Sequence, residues 1–385
     1  MSSFNRFTKL YRVTSASGGV PSLGNKNIAL RIPRQRGRLE KLEVITKINQ
    51  ATSSLAGDTS TNLTALDIFD EVRLRVSDAH ASNRLLVQCP GSSLAMWQRY
   101  TVGQLNRHAQ YLATKPDLAA GTYYVTHTIP VMDPLMSELV GIKTALPMQD
   151  NLGTGEDPTL ELDLAAAVAN FGYVAGGTTT LAGIRVRAYF RDVPDDVPYI
   201  PTELKTNLVT WSQWPDGWEL PGTGFLARLL NEGWSVNPLT VTNAARIDVL
   251  ALSSGSAPAG TAEDTPYWQI LVGKTSVDEF DQPTADCDDD EWVHTADIAR
   301  AIAPSPGAST ENTGYNERGV WLKDLLHVGA LGEAMSPATM LQGNLWTSNR
   351  GDVMKVRPSG TISSSVSRIT THKVLVKDLT PLLGA

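Results

Sequence analysis

The chain has 385 residues, 42% of them hydrophobic, with 33 Lys and Arg against 40 Asp and Glu for a formal net charge of −7. That length suggests two domains or one large β domain, with enough apolar content for a sizeable core. No run of about 18 uncharged apolar residues predicts a transmembrane helix, and MSSFNRFTKLYRV lacks the apolar stretch of a secretory signal. The two cysteines, Cys89 and Cys287, are too far apart in sequence for a CxxC metal clip or a disulfide framework, so folding in a reducing cytosol is expected.

Charge is uneven along the chain. Residues 1–41 hold nine cations and one anion, net +8; the remaining 344 hold 24 cations and 39 anions, net −15, and the two sum to −7. The first 27 residues, with SASGG at 15–19, read as a basic arm. Period-2 alternation then dominates. LEKLEVITKINQ opens it. In EVRLRV, Val72, Leu74 and Val76 share one face against Glu71, Arg73 and Arg75. The stretch 92–113 predicts a helix with Leu94, Trp97, Leu105, His108 and Leu112 near one face. TLELDL sets Leu160, Leu162 and Leu164 against Glu161 and Asp163; IRVRAYF sets Ile184, Val186, Ala188 and Phe190 against Arg185 and Arg187. Turns rich in Gly, Asp, Asn and Ser separate these runs. DVPDDVPYIPTE (192–203) places three prolines within eight residues and predicts a stiff boundary between two halves. Near the end, HKVLVKD sets Val374 and Val376 against Lys373, Leu375 and Lys377. Strands with one apolar face build antiparallel sandwiches.

Chemistry-bearing motifs are sparse. WQILVGKTS contains GKT, but a phosphate-binding loop needs glycine five positions before Gly273, where Trp268 stands. That favours a strand followed by a polar turn. In DCDDDEWVH, Asp286, Asp288 and Asp290 could offer oxygen ligands to a hard cation, although the EF-hand glycine and terminal glutamate are missing. The alternative is a solvated acidic loop leading into a helix capped by Asp290 and stopped by Pro304. Trp211, Trp214 and Trp218 in WSQWPDGWELPG could stack on sugar rings, or be buried in a core or an interface. The six histidines show no ligand spacing, and His127 and His372 sit within strand patterns, as structural histidines do. There is no GxSxG, no Cys–His arrangement and no evident carboxylate pair, Glu219 beside Trp218 coming nearest. No catalytic residue and no cofactor is assigned.

Two successive sandwiches, a stiff linker and a basic beginning resemble the double jelly-roll major capsid proteins of tailless icosahedral viruses with an internal membrane. These are the tectivirus-like phages and their adenovirus-lineage relatives. LEKLEVITKINQAT is similar to that family's opening strand and FDEVRLRVSD to its partner. The stretch 92–113 resembles its excursion between strands, and GTYYVTHTIPVMDPLMSELVGIKTALPMQ its strand, short helix and next strand. TLELDL and GIRVRAYFRDV resemble closing strands. In the second half VTNAARIDVLALS, PYWQILVGKT, VWLKDLL, GDVMKVRPSG and SRITTHKVLVKDL can be laid onto a second roll.

The resemblance implies a mainly all-β chain of two consecutive eight-stranded antiparallel jelly rolls with a few short helices. It divides into an arm at 1–27, a first roll at 28–192, a linker at 193–203 and a second roll at 204–385. It implies a non-enzymatic virion protein assembled in the host cytoplasm. The partners are further copies of itself, as homotrimers and neighbouring capsomers, and vertex and minor capsid proteins, with no small-molecule substrate. The cations Arg6, Lys9, Arg12, Lys26, Arg31, Arg34, Arg36 and Arg38 would face an internal lipid membrane or the packaged genome. Changing Arg31, Arg34, Arg36 and Arg38 together to Gln is then expected to abolish binding to anionic liposomes. Two other readings stand beside it: the cations protect strand edges from pairing, or the chain is a carbohydrate- or receptor-binding β-sandwich using its Trp-rich segment.

Overall fold

The computed structural model describes residues 5–50, 68–77, 83–91, 93–94, 97, 121–132, 138–148, 156–165, 179–194, 197–210, 218–219, 225–234, 267–272, 286–288, 320–324, 346–347, 354–359 and 366–375. The chain divides into two compact units, 1–205 with 378–385, and 206–377.

The first unit contains β1 (Arg6–Val13), β2 (Ile28–Arg31), β3 (Arg38–Gln50), β4 (Phe69–Val76), β5 (Arg84–Cys89), β6 (Gly121–Pro130), helix α1 (Glu138–Thr144), β7 (Leu146–Pro147), β8 (Thr159–Leu164), β9 (Thr179–Arg191) and the start of β10 (Thr202–Thr210). These form two sheets. One has the order β1–β9–β3–β6, with β7 also on β3; the other runs β10–β5–β4–β8–β2. The apolar alternation faces inward as the sequence predicts. Val72, Leu74, Leu160, Leu162, Val44, Val186 and Phe190 are each 0% exposed. His127 of β6 packs edge-on against Phe69 of β4 at 5.1 Å between ring centroids, so the two sheets meet face to face.

The long strand β3 carries a break in its alternation. Leu39 is buried, and so are Leu42, Val44, Thr46 and Ile48, so the inward positions change from odd to even. The pairing with β9 shifts between Leu39 and Lys41, which leaves Glu40 as the extra residue of a bulge. Its carbonyl accepts from the amides of Val131 (3.1 Å) and Met132 (2.7 Å), and its carboxylate meets Arg191. Just before this strand, Gly37 has φ +89°, and a Cβ there would collide with the backbone of Arg191. Only glycine fits the position.

Two expectations of organisation differ from what is found. Arg6–Val13, expected in an arm, is an edge strand in register with β9 from Arg6↔Arg191 to Val13↔Ile184, with Phe7 stacked on Phe190. Tyr11 and Val13 turn apolar surface inward on that edge, and this burial holds the segment to the sheet. The linker, expected to be stiff, is pinned to the first unit. Val193 packs with Ile142 and Ala145, and Ile200 donates its amide to the Lys143 carbonyl at 2.8 Å. The division between units falls inside β10, which starts within the expected linker at Thr202 and joins β5 in parallel at Leu204↔Val87. Among the described residues the span 28–192 holds the eight strands β2–β9, as expected, and β1 and the start of β10 join them.

The second unit has β11 (Trp218–Glu219), β12 (Phe225–Trp234), β13 (Tyr267–Val272), β14 (Asp286–Asp288), β15 (Val320–Asp324), β16 (Trp346–Thr347), β17 (Met354–Ser359) and β18 (Val366–Val374). One sheet runs β15–β12–β18–β10 with β16 on β12, and the other β11–β17–β13–β14. Strand β18 overturns the one-sided pattern read from HKVLVKD. Thr370, Thr371, His372, Lys373 and Val374 are all buried, and β18 lies between β12 and β10. Thr206 and Thr370 share a hydroxyl hydrogen bond of 2.8 Å there. The segment VTNAARIDVLALS lies outside the described residues.

Candidate functional site

The eight cations of the basic beginning do not form one surface. Arg38 is 5% exposed, and its guanidinium donates to the carbonyls of Ile142 (3.1 Å), Pro198 (3.1 Å) and Val197. It clamps α1 to the linker and cannot reach an external bilayer or nucleic acid. Arg36 forks onto the Asp192 carboxylate, its Nε donating at 2.9 Å, and Lys26 pairs with Asp70. Arg6 lies 3.5 Å from Glu40. Arg34 donates its amide to Asp157 at 3.0 Å and its Nε to the Glu156 carbonyl at 2.9 Å. Lys9, Arg12 and Arg31 are exposed, with no hydrogen bond or ion pair among the described residues. A joint change of Arg31, Arg34, Arg36 and Arg38 would therefore perturb the fold through Arg38, whatever it did to a surface.

The outer faces of the two sheets carry the rest of the charge, in contrasting ways. On the β4–β8 sheet the outward residues alternate with the buried ones, and oppositely charged side chains stand across from each other. Arg73 contacts Glu71 (3.0 Å), Glu161 (3.1 Å) and Asp163 (3.0 Å), while Arg75 donates to Glu161 at 2.8 Å. Lys205 pairs with Glu203 at 3.0 Å, and Gln88 donates to Glu71 at 2.6 Å. Counting Arg31, Arg73, Arg75 and Lys205 against Glu71, Glu161, Asp163 and Glu203, this face is neutral.

On the β9–β3 sheet, register places residues in rows across four strands. Thr8, Tyr189, Lys41 and Pro130 form one row; Leu10, Arg187, Glu43 and Thr128 the next; Arg12, Arg185, Ile45 and Thr126 the third. Lys47 faces Tyr124 one step further, and Asn49 faces Thr122 beyond that. Glu43 is the only acid on these rows, against Arg12, Arg185, Arg187, Lys41 and Lys47, so these rows carry five cations and one anion, net +4, beyond the Arg6–Arg191 row and its Glu40. Glu43 is already engaged by Lys41 (2.8 Å), the Tyr189 hydroxyl (2.6 Å) and Arg187 (3.7 Å). The Tyr189 hydroxyl and, to a lesser degree, this carboxylate raise the Arg187 pKa further. Lys41 also lies 4.3 Å from the Tyr189 ring centroid and Lys47 5.9 Å from that of Tyr124. Arg12 and Arg185 are directly opposed, both exposed, with no ion pair among the described residues. Leu10 (54% exposed) and Tyr124 (48%) are exposed large hydrophobic side chains on the same face.

The remaining candidates are placed as follows. Asp286 and Asp288 belong to strand β14, paired with Gln269 and Tyr267, rather than to a loop; Asp290 lies outside the described residues. Among the described residues no group of three or more His, Cys, Asp and Glu could hold a metal ion. Trp218 opens β11 opposite Val356, and Glu219 faces Lys355; Trp211 and Trp214 lie outside the described residues. Trp268 lies within β13 opposite Pro358 and Cys287, and the GKT residues after that strand lie outside the described residues. Of the stretch 92–113, Ser93, Leu94 and Trp97 are helical and buried; the rest lies outside the described residues. His127 and His372 are buried strand residues. No helix among the described residues is long and apolar enough to cross a membrane.

No family model and no curated protein matches the sequence. Solved structures do match the fold. The STIV major capsid protein aligns over 99% of this chain and 100% of its own at a TM-score of 0.56 and 10% identity. The PBCV-1 virus capsid protein aligns over 97% of this chain and 94% of its own at 0.57 and 12% identity. The Faustovirus major capsid protein aligns over 97% and 90% at 0.51 and 8% identity. The chain therefore has the mainly all-β, double jelly-roll fold of these capsid proteins.

Proposed function

We propose that the chain is a structural shell protein: a major capsid protein that assembles as homotrimers, six jelly rolls making a pseudo-hexagonal capsomer of an icosahedral virion. The observation that carries this reading is the near end-to-end fold match to a viral major capsid protein, 99% of this chain against 100% of that one. A match of a single domain would fit many unrelated activities, since folds are reused. A match of two successive rolls over the full length is far more restrictive.

In this reading the acidic body keeps capsomers soluble, and the basic end faces an anionic interior, an internal membrane or packaged genome. With Arg38 buried and Arg6, Lys26, Arg34 and Arg36 bonded within the chain, that contact rests on Lys9, Arg12 and Arg31. Each contributes on the order of 1 kcal/mol near an anionic surface. The attraction becomes substantial only when many copies act together.

The test is the native mass of the purified chain with negative-stain images of the same peak. Three times 41.6 kDa, about 125 kDa, with hexagonal outlines is expected. A chain that stays monomeric at all concentrations and ionic strengths overturns the shell reading.

A further inference from the structure

We propose that the outer edge of strand β6 pairs with β6 of a second copy of this chain, antiparallel about a two-fold axis, so that one sheet runs across both copies. The proposal goes beyond the shell reading, which supplies only the place of the contact. A three-fold trimer joins unlike surfaces, whereas a two-fold contact joins like to like. The β6 pair therefore links neighbouring trimers.

The first observation concerns the ends of the sheets. An end strand presents backbone donors and acceptors to any other chain, and charged side chains are the usual defence against pairing there. The three sheets end in β1 and β6, β15 and β2, and β11 and β14. Five of these strands carry charge: β1 has Arg6, Lys9 and Arg12, β2 has Arg31, β15 has Lys323 and Asp324, β11 has Glu219, and β14 has Asp286 and Asp288. Strand β6 has none, and no Lys, Arg, Asp or Glu occurs from Leu118 to Met132. It is also the longest of the six, ten residues against eight or fewer. Its pairing with β3 runs from Gln50↔Gly121 to Lys41↔Pro130 without a bulge, although β3 is bulged on its other side. No strand pairs with the outer edge of β6 among the described residues. The longest end strand is the undefended one.

The second observation concerns what kind of partner. Seven of the ten residues of β6 are Thr, Tyr, Val or Ile, the types best suited to a strand. Val125, His127 and Ile129 are buried, and the alternation leaves Thr122, Tyr124, Thr126 and Thr128 on the outward side. In an antiparallel self-pair these four meet the same four. Thr–Thr and aromatic–β-branched pairs are favourable across strands. A charged edge cannot pair with itself in this way, because a two-fold axis sets its charges against their like. The uncharged edge is self-complementary, and among the end strands of the described residues only another β6 matches it.

Charge elsewhere does not prevent the contact. Lys41 and Lys47 stand on β3, one strand in from the edge, so those of the two copies are three strand spacings apart, about 14 Å. Screening at physiological salt acts within about 8 Å, and it weakens the repulsion between two chains of net charge −7 in the same way. Ten residues at about 3.4 Å and a sheet about 10 Å thick give an edge of roughly 340 Å². That is under half the roughly 800 Å² per partner of a standard stable interface. The contact is therefore weak alone and gains strength in an array.

The experiment uses the full chain at physiological salt, in sedimentation velocity across concentration, with hydrogen exchange followed over residues 121–130. Wild type is expected to pass from the trimer of about 125 kDa to larger species as concentration rises. Exchange over 121–130 should slow by at least about tenfold over the same range, because pairing protects the edge amides. Thr126→Lys sets like charges across the two-fold axis and should weaken the larger species at least about tenfold, leaving the trimer intact. Leu10→Lys, on the already charged edge β1, should change neither reading. If Thr126→Lys also lowers Tm, the exchange of wild type decides. Larger species forming while exchange over 121–130 ignores concentration overturns the proposal and leaves the shell reading standing. Exchange there already slow in the dilute chain means that the chain covers its own edge, which overturns it too. A wild type that never exceeds the trimer does the same. A dimer of twice 41.6 kDa, about 83 kDa, lost in Thr126→Lys and formed by a chain that makes no trimer, upholds the edge pair and removes the shell reading.

Discussion

The outer face of the β4–β8 sheet carries four cations against four anions, whereas the rows from Thr8 to Lys47 on that of the β9–β3 sheet carry five against one. The two inner faces are alike, apolar side chains at every second position meeting in one core. The difference lies wholly outside. On the first face Arg73, Arg75 and Lys205 pair with Glu71, Glu161, Asp163 and Glu203, Arg31 alone having no ion pair among the described residues, which serves the isolated unit. On the second, two arginines oppose each other and the single glutamate is saturated, which does not. Selection for the stability of the monomer alone would balance both sheets. The surplus is the feature that points beyond the monomer.

The comparison breaks most sharply at the one end of the β9–β3 sheet where a cation is fully compensated. Arg191 is 1% exposed and meets Glu40 on the β3 bulge. Removing Arg191 leaves the mostly buried Glu40 with Arg6 at 3.5 Å in place of a close pair, so Arg191→Leu should cost about 3 kcal/mol in urea unfolding. Adding Glu40→Gln should recover much of that. If Arg191→Leu were silent, the bulge would owe nothing to the pair.

Next in size is the neutral ladder. Arg73 has 16% of its side chain exposed and reaches Glu71, Glu161, Asp163 and the Asn27 side chain at 2.9 Å. Arg73→Ala leaves three carboxylates crowded beside Arg75 alone. A loss of about 2 kcal/mol is expected, charge-assisted hydrogen bonds being the stronger kind. The loss should shrink in 1 M salt, where screening acts within about 3 Å. A salt-independent loss would mean that packing of the arginine stem, not charge, carries the effect.

How much of this was legible in the sequence depends on whether a residue's surroundings are local. The alternations EVRLRV, TLELDL and IRVRAYF fix which side of each strand is buried, and Glu138–Thr144 followed by Leu146–Pro147 matches the expected helix and short strand. Arg38 could not be placed this way. An arginine in a basic run reads as surface, and only the carbonyls of Val197 and Pro198, brought back by the linker, explain its burial. The edge strand Arg6–Val13 was hidden for a related reason: its single well-buried residue, Val13, gives little period to see. Arg185 and Arg187 were visible as the polar side of a strand. That Arg185 stands opposite Arg12 follows from the β1–β9 register, a long-range pairing that no spacing reveals.

The like-charge pair itself gives a smaller effect of opposite sign. Arg185→Gln should stabilise the chain by about 0.5 kcal/mol, by removing repulsion across a non-local pair. Arg12→Gln should do the same, and the double variant should gain no more than either single one. That non-additivity is the signature of a direct pair. Simple addition of the two gains would show that each arginine responds to the general field of the face rather than to its neighbour.

The smallest effect falls on Tyr124, and it separates the two faces most cleanly. The ring is 48% exposed, and Lys47 lies 5.9 Å from its centroid, at the outer limit of a useful cation–π contact. For the isolated chain, Tyr124→Ser should change stability by less than about 0.5 kcal/mol, as exposed substitutions generally do. In the proposed assembly the same ring would serve as an aromatic anchor beside cations, the kind of residue that dominates contact energy. Tyr124→Ser should therefore leave Tm unchanged and weaken self-association at low salt, while Gln88→Ser on the neutral face does not weaken it. If Tyr124→Ser moved Tm and association by matching amounts, the ring would be part of the fold's own stability, and the contrast between the two faces would reduce to charge alone.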